Sequence, residues 1–215
     1  MPPDDLVLAF DTSAAHCAAA LLSGDQLIAE RYEPMEKGQA ERLMLMLAEL
    51  LAESGVAWRD LARIGVGIGP GNFTGVRIAV AAARGLALGL GIPAFGVSSL
   101  QAQAFGAKGA VLSSLDARKG AIYLQSFGLP KDHAAQILDL AHLPPLPPAT
   151  CIGFAADILA AHSAGQTAPP HHRLCDAIAR LAQAQSAANA PRPAPFYLRS
   201  ADAAPPADPP PVILP

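Results

Sequence analysis

LVLAFDTSAAHCAAALLSGDQLIAERY, from Leu6 to Tyr32, holds three short apolar runs parted by polar turns: Leu6 to Phe10, Cys17 to Leu22 and Leu27 to Tyr32. The first run ends at Asp11-Thr12-Ser13 and the second at Ser23-Gly24-Asp25, residue types that satisfy turn amides or tolerate positive φ. Runs of this length between such turns predict a meander of three antiparallel strands.

Beyond Tyr32 the period changes. From Gly38 to Ser54, Leu43, Leu47, Leu50 and Leu51 follow the i, i+4, i+7, i+8 spacing of one helix face, and Gly55 stands where a left-handed cap is common. Arg63 to Ile68 reads as a buried strand, Gly69 to Gly75 as a glycine-rich loop, about Thr74 to Gly89 as a second helix and Pro93 to Val97 as another strand. Three antiparallel strands, helix, strand, helix, strand is the half-domain order of the actin and hexokinase group and of ribonuclease H, so the expected fold class is α/β with mixed sheets flanked by helices. Ala110 to Leu115, a turn over Asp116 to Gly120 and Ala121 to Phe127 begin the order again. The chain thus reads as an actin-like first lobe over 1–100, a reduced second lobe over 101–199 and a Pro-rich tail over 200–215. After Gly128, Pro144, Pro145, Pro147 and Pro148 break the pattern, and only two Ala-rich helices stand out, roughly Ala155 to Ser163 and Leu174 to Asn189.

With 215 residues, 52% of them hydrophobic, the chain has ample material for a core. A formal charge of -3, with 15 basic residues scattered among 18 acidic ones, gives no basic stripe of the kind that grips phosphate backbones. Cys17, Cys151 and Cys175 lie far apart, which suits a reducing cytosol better than a disulfide framework or zinc site. Met1-Pro2-Pro3-Asp4-Asp5 lacks the cationic start of an export signal, and Arg77 and Arg84 interrupt the most apolar stretch, Val76 to Leu90. The expected location is cytoplasmic, with no membrane contact.

Two segments have the composition of a ligand site. Asp11-Thr12-Ser13 is either a turn that satisfies its own amides or the carboxylate and hydroxyl set that meets metal and phosphate in actin-like ATPases. Gly69-Pro70-Gly71-Asn72-Phe73-Thr74-Gly75-Val76-Arg77 is either a tight strand-to-helix connection or an anion cradle of exposed amides, with Asn72 or Thr74 as helix cap. No Lys follows its last glycine, so it is not a P-loop. His133, His142 and His162 are isolated, His171-His172 falls in a Pro-rich loop, and His16 reads as a strand residue, so no metal-ligand set or nucleophile elbow can be assembled.

The helices carry more apolar surface than one sheet covers. Leu45, Ala48 and Ala52 form a second strip on the first helix, and the next helix is ringed by Val76, Ile78, Ala79, Val80, Ala82, Ala83, Ala87 and Leu88. A partner surface is expected at Leu45, Ala48, Ala52, Ile78, Ala79, Ala82, Ala83 and Leu86.

Five segments resemble, in order, the signature of the TsaB family: Phe10-Asp11-Thr12-Ser13, Gly69 to Arg77, Gly96-Val97-Ser98-Ser99-Leu100, Asp116-Ala117-Arg118 with Tyr123, and Phe196-Tyr197-Leu198-Arg199. The resemblance marks Arg77, Asp116, Arg118, Tyr197 and Arg199 as signature positions and Asp11, Thr12, Ser13, Gly71, Asn72, Thr74 and Gly75 as a vestigial nucleotide or anion site. It implies a non-catalytic scaffold subunit that pairs with the catalytic relative TsaD through its two helices, is joined by the ATPase TsaE, and serves the transfer of threonylcarbamoyl to the adenosine beside certain tRNA anticodons. A homodimer through the same helices is expected without TsaD. ATP and a metal are expected in the partner subunits, none stably in this chain, and tRNA contact only indirectly. Ser99 and Gln103 stand where TsaD-type relatives carry a metal-binding His pair. The chain departs from the family at Gln39, where many relatives have His, and in its short second lobe. The alternative is a stand-alone enzyme of this fold, a glycoprotease-like metallopeptidase or an ATP-dependent kinase.

Overall fold

In the computed structural model, residues 6–130, 134–188 and 191–199 are described. His133, Asn189 and the tail over 200–215 lie outside them. The last helix, expected to run from Leu174 to Asn189, ends earlier, at Ala184, where Gln185 turns extended.

Strands β1 (Leu6–Asp11), β2 (His16–Ser23) and β3 (Gln26–Pro34) form the expected antiparallel meander, with Phe10 opposite Ala19 and Ala19 opposite Arg31. Helix α1 (Gln39–Glu53), β4 (Arg63–Gly67), α2 (Phe73–Leu90) and β5 (Ala94–Val97) follow, and the sheet order is β3-β2-β1-β4-β5 with β4 parallel to both β1 and β5. The two-residue side-chain period divides the sheet. Leu8, Phe10, Cys17, Ala19, Leu21, Ile64 and Val66 face α1 and α2, which contribute Leu43, Met46, Leu47, Leu50, Leu51, Ala79 and Ala83. Val7, Ala9, Leu22, Phe95 and Val97 face the other way.

That second face corrects the expected lobe boundary at residue 100. It is covered by Ala102 of the short helix α3 (Ser99–Ala104) and by α5 (Leu174–Ala184), which buries Ala177, Ile178, Ala179 and Ala182 against it. Gly65 makes the close approach possible, since a Cβ there would sit 3.0 Å from both Ala182 Cβ and Ile178 Cγ2. Arg63 Nη1 donates to the carbonyls of Ala182, Gln183 and Gln185 at 3.3, 2.8 and 3.1 Å, satisfying the otherwise unpaired C-terminal end of α5. The last helix of the chain therefore completes the first lobe.

The second lobe is a smaller repeat: β6 (Val111–Arg118), β7 (Ala121–Phe127), β8 (Gln136–Asp139), β9 (Thr150–Gly153) and β10 (Gln166–Thr167), in the order β10-β9-β6-β7-β8, with α4 (Ala156–Ser163) packed on it. Here β6 runs on to Arg118 through a bulge instead of ending at Leu115, so the turn is shorter than expected.

Residues 191–199 cross back over the first lobe. Arg84 Nε donates to the Pro193 carbonyl at 2.7 Å, the Phe196 amide donates to the Ile68 carbonyl at 2.8 Å, and Arg77 Nε donates to the Tyr197 hydroxyl at 3.0 Å. Leu198 then packs on Leu100, Ala117 and Tyr123, so this strap touches both lobes.

Candidate functional site

The two signature segments of the first lobe form one interlocked unit. Gly67, Gly71 and Gly75 lie against Asp11, Ser13 and Thr12: an added Cβ would fall 1.8 Å from Asp11 Oδ2, 2.2 Å from the Ser13 carbonyl and 1.9 Å from the Thr12 carbonyl, respectively. Thr12 Oγ1 donates to the Gly75 carbonyl at 2.7 Å, the Asn72 amide donates to the Ser13 carbonyl at 2.6 Å, and Asn72 Oδ1 caps α2 by accepting from the Gly75 amide at 2.9 Å. These glycines permit backbone to touch backbone, and the Asn72 and Gly75 amides, which an anion would need, are spent within the chain.

Asp11 is fully buried. Its Oδ1 accepts from the Ser13 amide, the Ser13 hydroxyl and His16 Nε2 at 2.9, 2.8 and 2.8 Å, while Oδ2 abuts Gly67 and has no partner among the described residues. The carboxylate has no surface in the cleft, and its environment does not fit a metal carried by a bound nucleotide. Of the residues expected at a vestigial nucleotide site, Ser13, Gly71 and Asn72 line the cleft between the lobes; Asp11, Thr12, Thr74 and Gly75 do not. His16, expected only as a strand residue, is the missed member: it holds Asp11 and lies against the Tyr32 ring at 5.1 Å. Its five-residue spacing from Asp11 across a strand turn gave no signal.

The cleft has a volume of about 1270 Å³. Its floor carries Ser99, 3.5 Å from Ser13 Oγ, and Gln103, whose amide donates to Ser113 Oγ, Ser114 O and Ile152 O at 3.0, 3.1 and 2.8 Å and so ties α3 to the second sheet. Among the described residues no group of three or more His, Cys, Asp or Glu gathers to hold a metal. Phe73 and Tyr197 also line it, and Arg77 braces both from behind, over the Phe73 ring at 3.7 Å and bonded to the Tyr197 hydroxyl. Asp116 Oδ1 accepts from the Arg118 amide at 2.7 Å, holding the β6–β7 hairpin tip. There Arg118 and Lys119 have φ of +64° and +54°, a left-handed backbone that costs a residue with a Cβ about 1 kcal/mol or more.

Burial raises the Cys17 thiol to about 11, with Glu33 adding to the effect, and pushes Cys175 well above the ordinary thiol range, so neither is a nucleophile. The Arg42 hydrogen bonds hold Glu33 and Glu49 below the usual carboxylate range, and with Arg31 and Glu53 they lace α1 to β3.

On the outer face of the helices the expected partner residues divide. Leu45, Ala48 and Ala52 are exposed, Leu45 to 62%. Ile78, Ala82 and Leu86 are half-buried against the lobe's own core. Ala79 and Ala83 are wholly buried in it and cannot meet a partner, because the small side chains that allow close contact are used against the chain's own sheet. Exposed apolar surface that periodicity did not select is added by Met44 and by Leu88, at 85%. Gly85 and Gly89 have nothing within 4 Å of an added Cβ. Helix α2 is long and apolar enough to cross a membrane, yet Val76, Ala79, Val80 and Ala83 are buried within the protein.

A family model described as "TsaD: tRNA N6-adenosine threonylcarbamoyltransferase" matches residues 33–142. The chain is 39% identical over 122 residues to the tRNA threonylcarbamoyladenosine biosynthesis protein TsaB of Escherichia coli K12, and 40% identical over 120 residues to that of Bacillus subtilis 168. Each match covers 54% of this chain and 52% of the relative, so the chain spans about half the length of the curated relatives it matches. Among solved structures it resembles YeaZ from Pseudomonas aeruginosa, at 32% identity and a TM-score of 0.60 over 69% of this chain and 75% of that one. It also resembles a Pseudomonas aeruginosa protein described as similar to peptidase YeaZ, at 28% identity and a TM-score of 0.74 over 91% and 100%.

Proposed function

The chain belongs to the TsaB (YeaZ) family, and from that premise we propose that it is a non-catalytic scaffold subunit in the synthesis of threonylcarbamoyladenosine in tRNA. It binds a TsaD-type catalytic subunit, with TsaE joining the pair, and two copies of the chain meet through the same surface when that subunit is missing. ATP and metal chemistry reside in the partners, and the complex works in the cytoplasm. The observation that carries this reading is the apolar outer face of α1 and α2. Met44, Leu45, Ala48 and Ala52 on one helix and Gly85, Leu88 and Gly89 on the next are exposed together, on a lobe whose core is already complete. Large apolar side chains exposed on neighbouring helices mark an interaction site, and open glycines on a helix let a second helix come close.

The test is Leu45→Glu combined with Leu88→Glu. Neither side chain contributes to the core, so the melting temperature should stay within about 2 °C of the parent. Co-elution with the TsaD-type subunit in size-exclusion chromatography should be lost, and with it the modification of tRNA by the reconstituted set. Undiminished co-elution of the double variant would refute this surface.

A further inference from the structure

We infer that the mouth of the interlobe cleft is a contact site for RNA phosphates, built on the β6–β7 hairpin tip. Lys37 from the loop before α1, Arg118 and Lys119 from the hairpin, and Arg199 from the strap all line it, against only two carboxylates, Glu36 and Asp116. Among the described residues none of these four cations has an ion-pair partner, whereas Arg31, Arg42, Arg173 and Arg180 are each paired with carboxylates. The chain as a whole carries a formal charge of -3, so this cationic rim stands out against an acidic protein.

The hairpin geometry points the same way. Arg118 pairs with Ala121 across a two-residue loop, Lys119-Gly120, in which both residues have positive φ. Asn-Gly suits such a loop, and a glycine suits the position Arg118 occupies. Two long cations are held at the cleft in the backbone region least suited to them.

The ligand class follows from what the cleft lacks and offers. Two of the loop's amides, those of Asn72 and Gly75, are already bonded within the protein, which reduces what the floor can offer a buried phosphate. The cations sit at the rim, Lys37, Arg118 and Lys119 are exposed, and about 1270 Å³ exceeds the usual small-molecule pocket. Tyr197, 40% exposed beside Phe73, adds an aromatic face at the same rim. Cations spaced around an open groove with an aromatic platform suit a single-stranded or looped RNA segment, its phosphates on the rim and a base on the ring. The identity of the RNA as tRNA rests on the function proposed above; the electrostatics do not. RNA is then held partly by this chain, in contrast to the purely indirect contact expected from its charge.

The test is fluorescence anisotropy of a labelled RNA stem–loop titrated with the full chain as salt rises from about 50 to about 200 mM. Four phosphate contacts on unpaired RNA give a log–log slope of about -2.8, a loss of affinity of about 50-fold. Arg118→Gly with Lys119→Asn removes two of them, so the slope should fall to about -1.4 and the loss to about 7-fold, while the melting temperature holds or rises. Lys37→Gln with Arg199→Gln should lower the slope equally without touching the hairpin. Absence of RNA binding by the parent, an unchanged slope in both variants, or one-for-one displacement of the RNA by inorganic triphosphate would each overturn the assignment. Co-elution with the TsaD-type subunit is measured on the same samples: if it persists while RNA binding is absent, only this inference falls, and if it is lost in the parent chain, the scaffold reading falls with it.

Discussion

Gly75→Ala isolates what the glycine-rich loop is for. The new Cβ would lie 1.9 Å from the Thr12 carbonyl oxygen, where contacts under 3.0 Å are essentially never seen, so the start of α2 and the β1–β2 turn must separate by roughly 1 Å. Both neighbours are backbone in ordered elements, and the shift pulls apart the 2.7 Å bond from Thr12 Oγ1 to the Gly75 carbonyl, leaving a buried hydroxyl unpaired. Overpacking costs about 1 to 3 kcal/mol and the lost bond a similar amount, against a helix-propensity gain of about 1 kcal/mol. A net loss of about 3 kcal/mol lowers the melting temperature of a chain this size by about 6 to 12 °C. Gly85→Ala is the control: its Cβ meets nothing within 4 Å on an exposed helix position, so it should gain up to about 4 °C. Differential scanning calorimetry on both variants reads the contrast. If Gly75→Ala melts within about 2 °C of the parent, the glycines do not serve packing, and the ligand-cradle explanation regains its place.

Three further outcomes are expected. Ala83→Arg places a guanidinium in a fully buried site of the first core, so the soluble folded fraction should collapse rather than partner binding alone; a folded variant by circular dichroism would show Ala83 to be at the surface after all. Arg63→Ala removes the donor shared by three carbonyls at the end of α5, and chemical denaturation should register a loss of about 2 kcal/mol; an unchanged midpoint would mean that solvent replaces it. Cys17, Cys151 and Cys175 are all buried, with burial raising each thiol above its ordinary value, so a thiol reagent at about pH 8 should label none in the native protein and all three in denaturant. One fast-reacting native thiol contradicts that.

The first sheet was legible because its strands are punctuated: Asp11-Thr12-Ser13, Ser23-Gly24-Asp25 and Gly55 each end an element where the chain does. The second lobe was not, since β9 is four residues long and follows a run of prolines, while β8 offers only Ile137 and Leu138 as an apolar signal. Periodicity found the inward face of α1 correctly, because polar Arg42, Glu49 and Glu53 mark its opposite flank. It failed on α2, where alanine and glycine fill inward and outward positions alike and only distance to the sheet separates Ala79 and Ala83 from Gly85. The placement of α5 had no local signal at all: its Ala-rich stripe would suit any sheet, and the complement is the missing side chain at Gly65, more than a hundred residues earlier. Likewise the loop and the first turn were each read as possible ligand sites, and it is their mutual contact that explains their residues.

Because α5 walls off the sheet built by residues near the start, the order of synthesis opposes the order of assembly. At ordinary translation speeds the ribosome spends roughly 4 to 17 s between finishing β5 and finishing α5. Throughout that interval Val7, Ala9, Phe95 and Val97 await their cover on the nascent chain. A premature stop anywhere in the second lobe would therefore strip the first lobe of one wall, and the half-made polypeptide becomes a natural client for chaperones that shield bare strands.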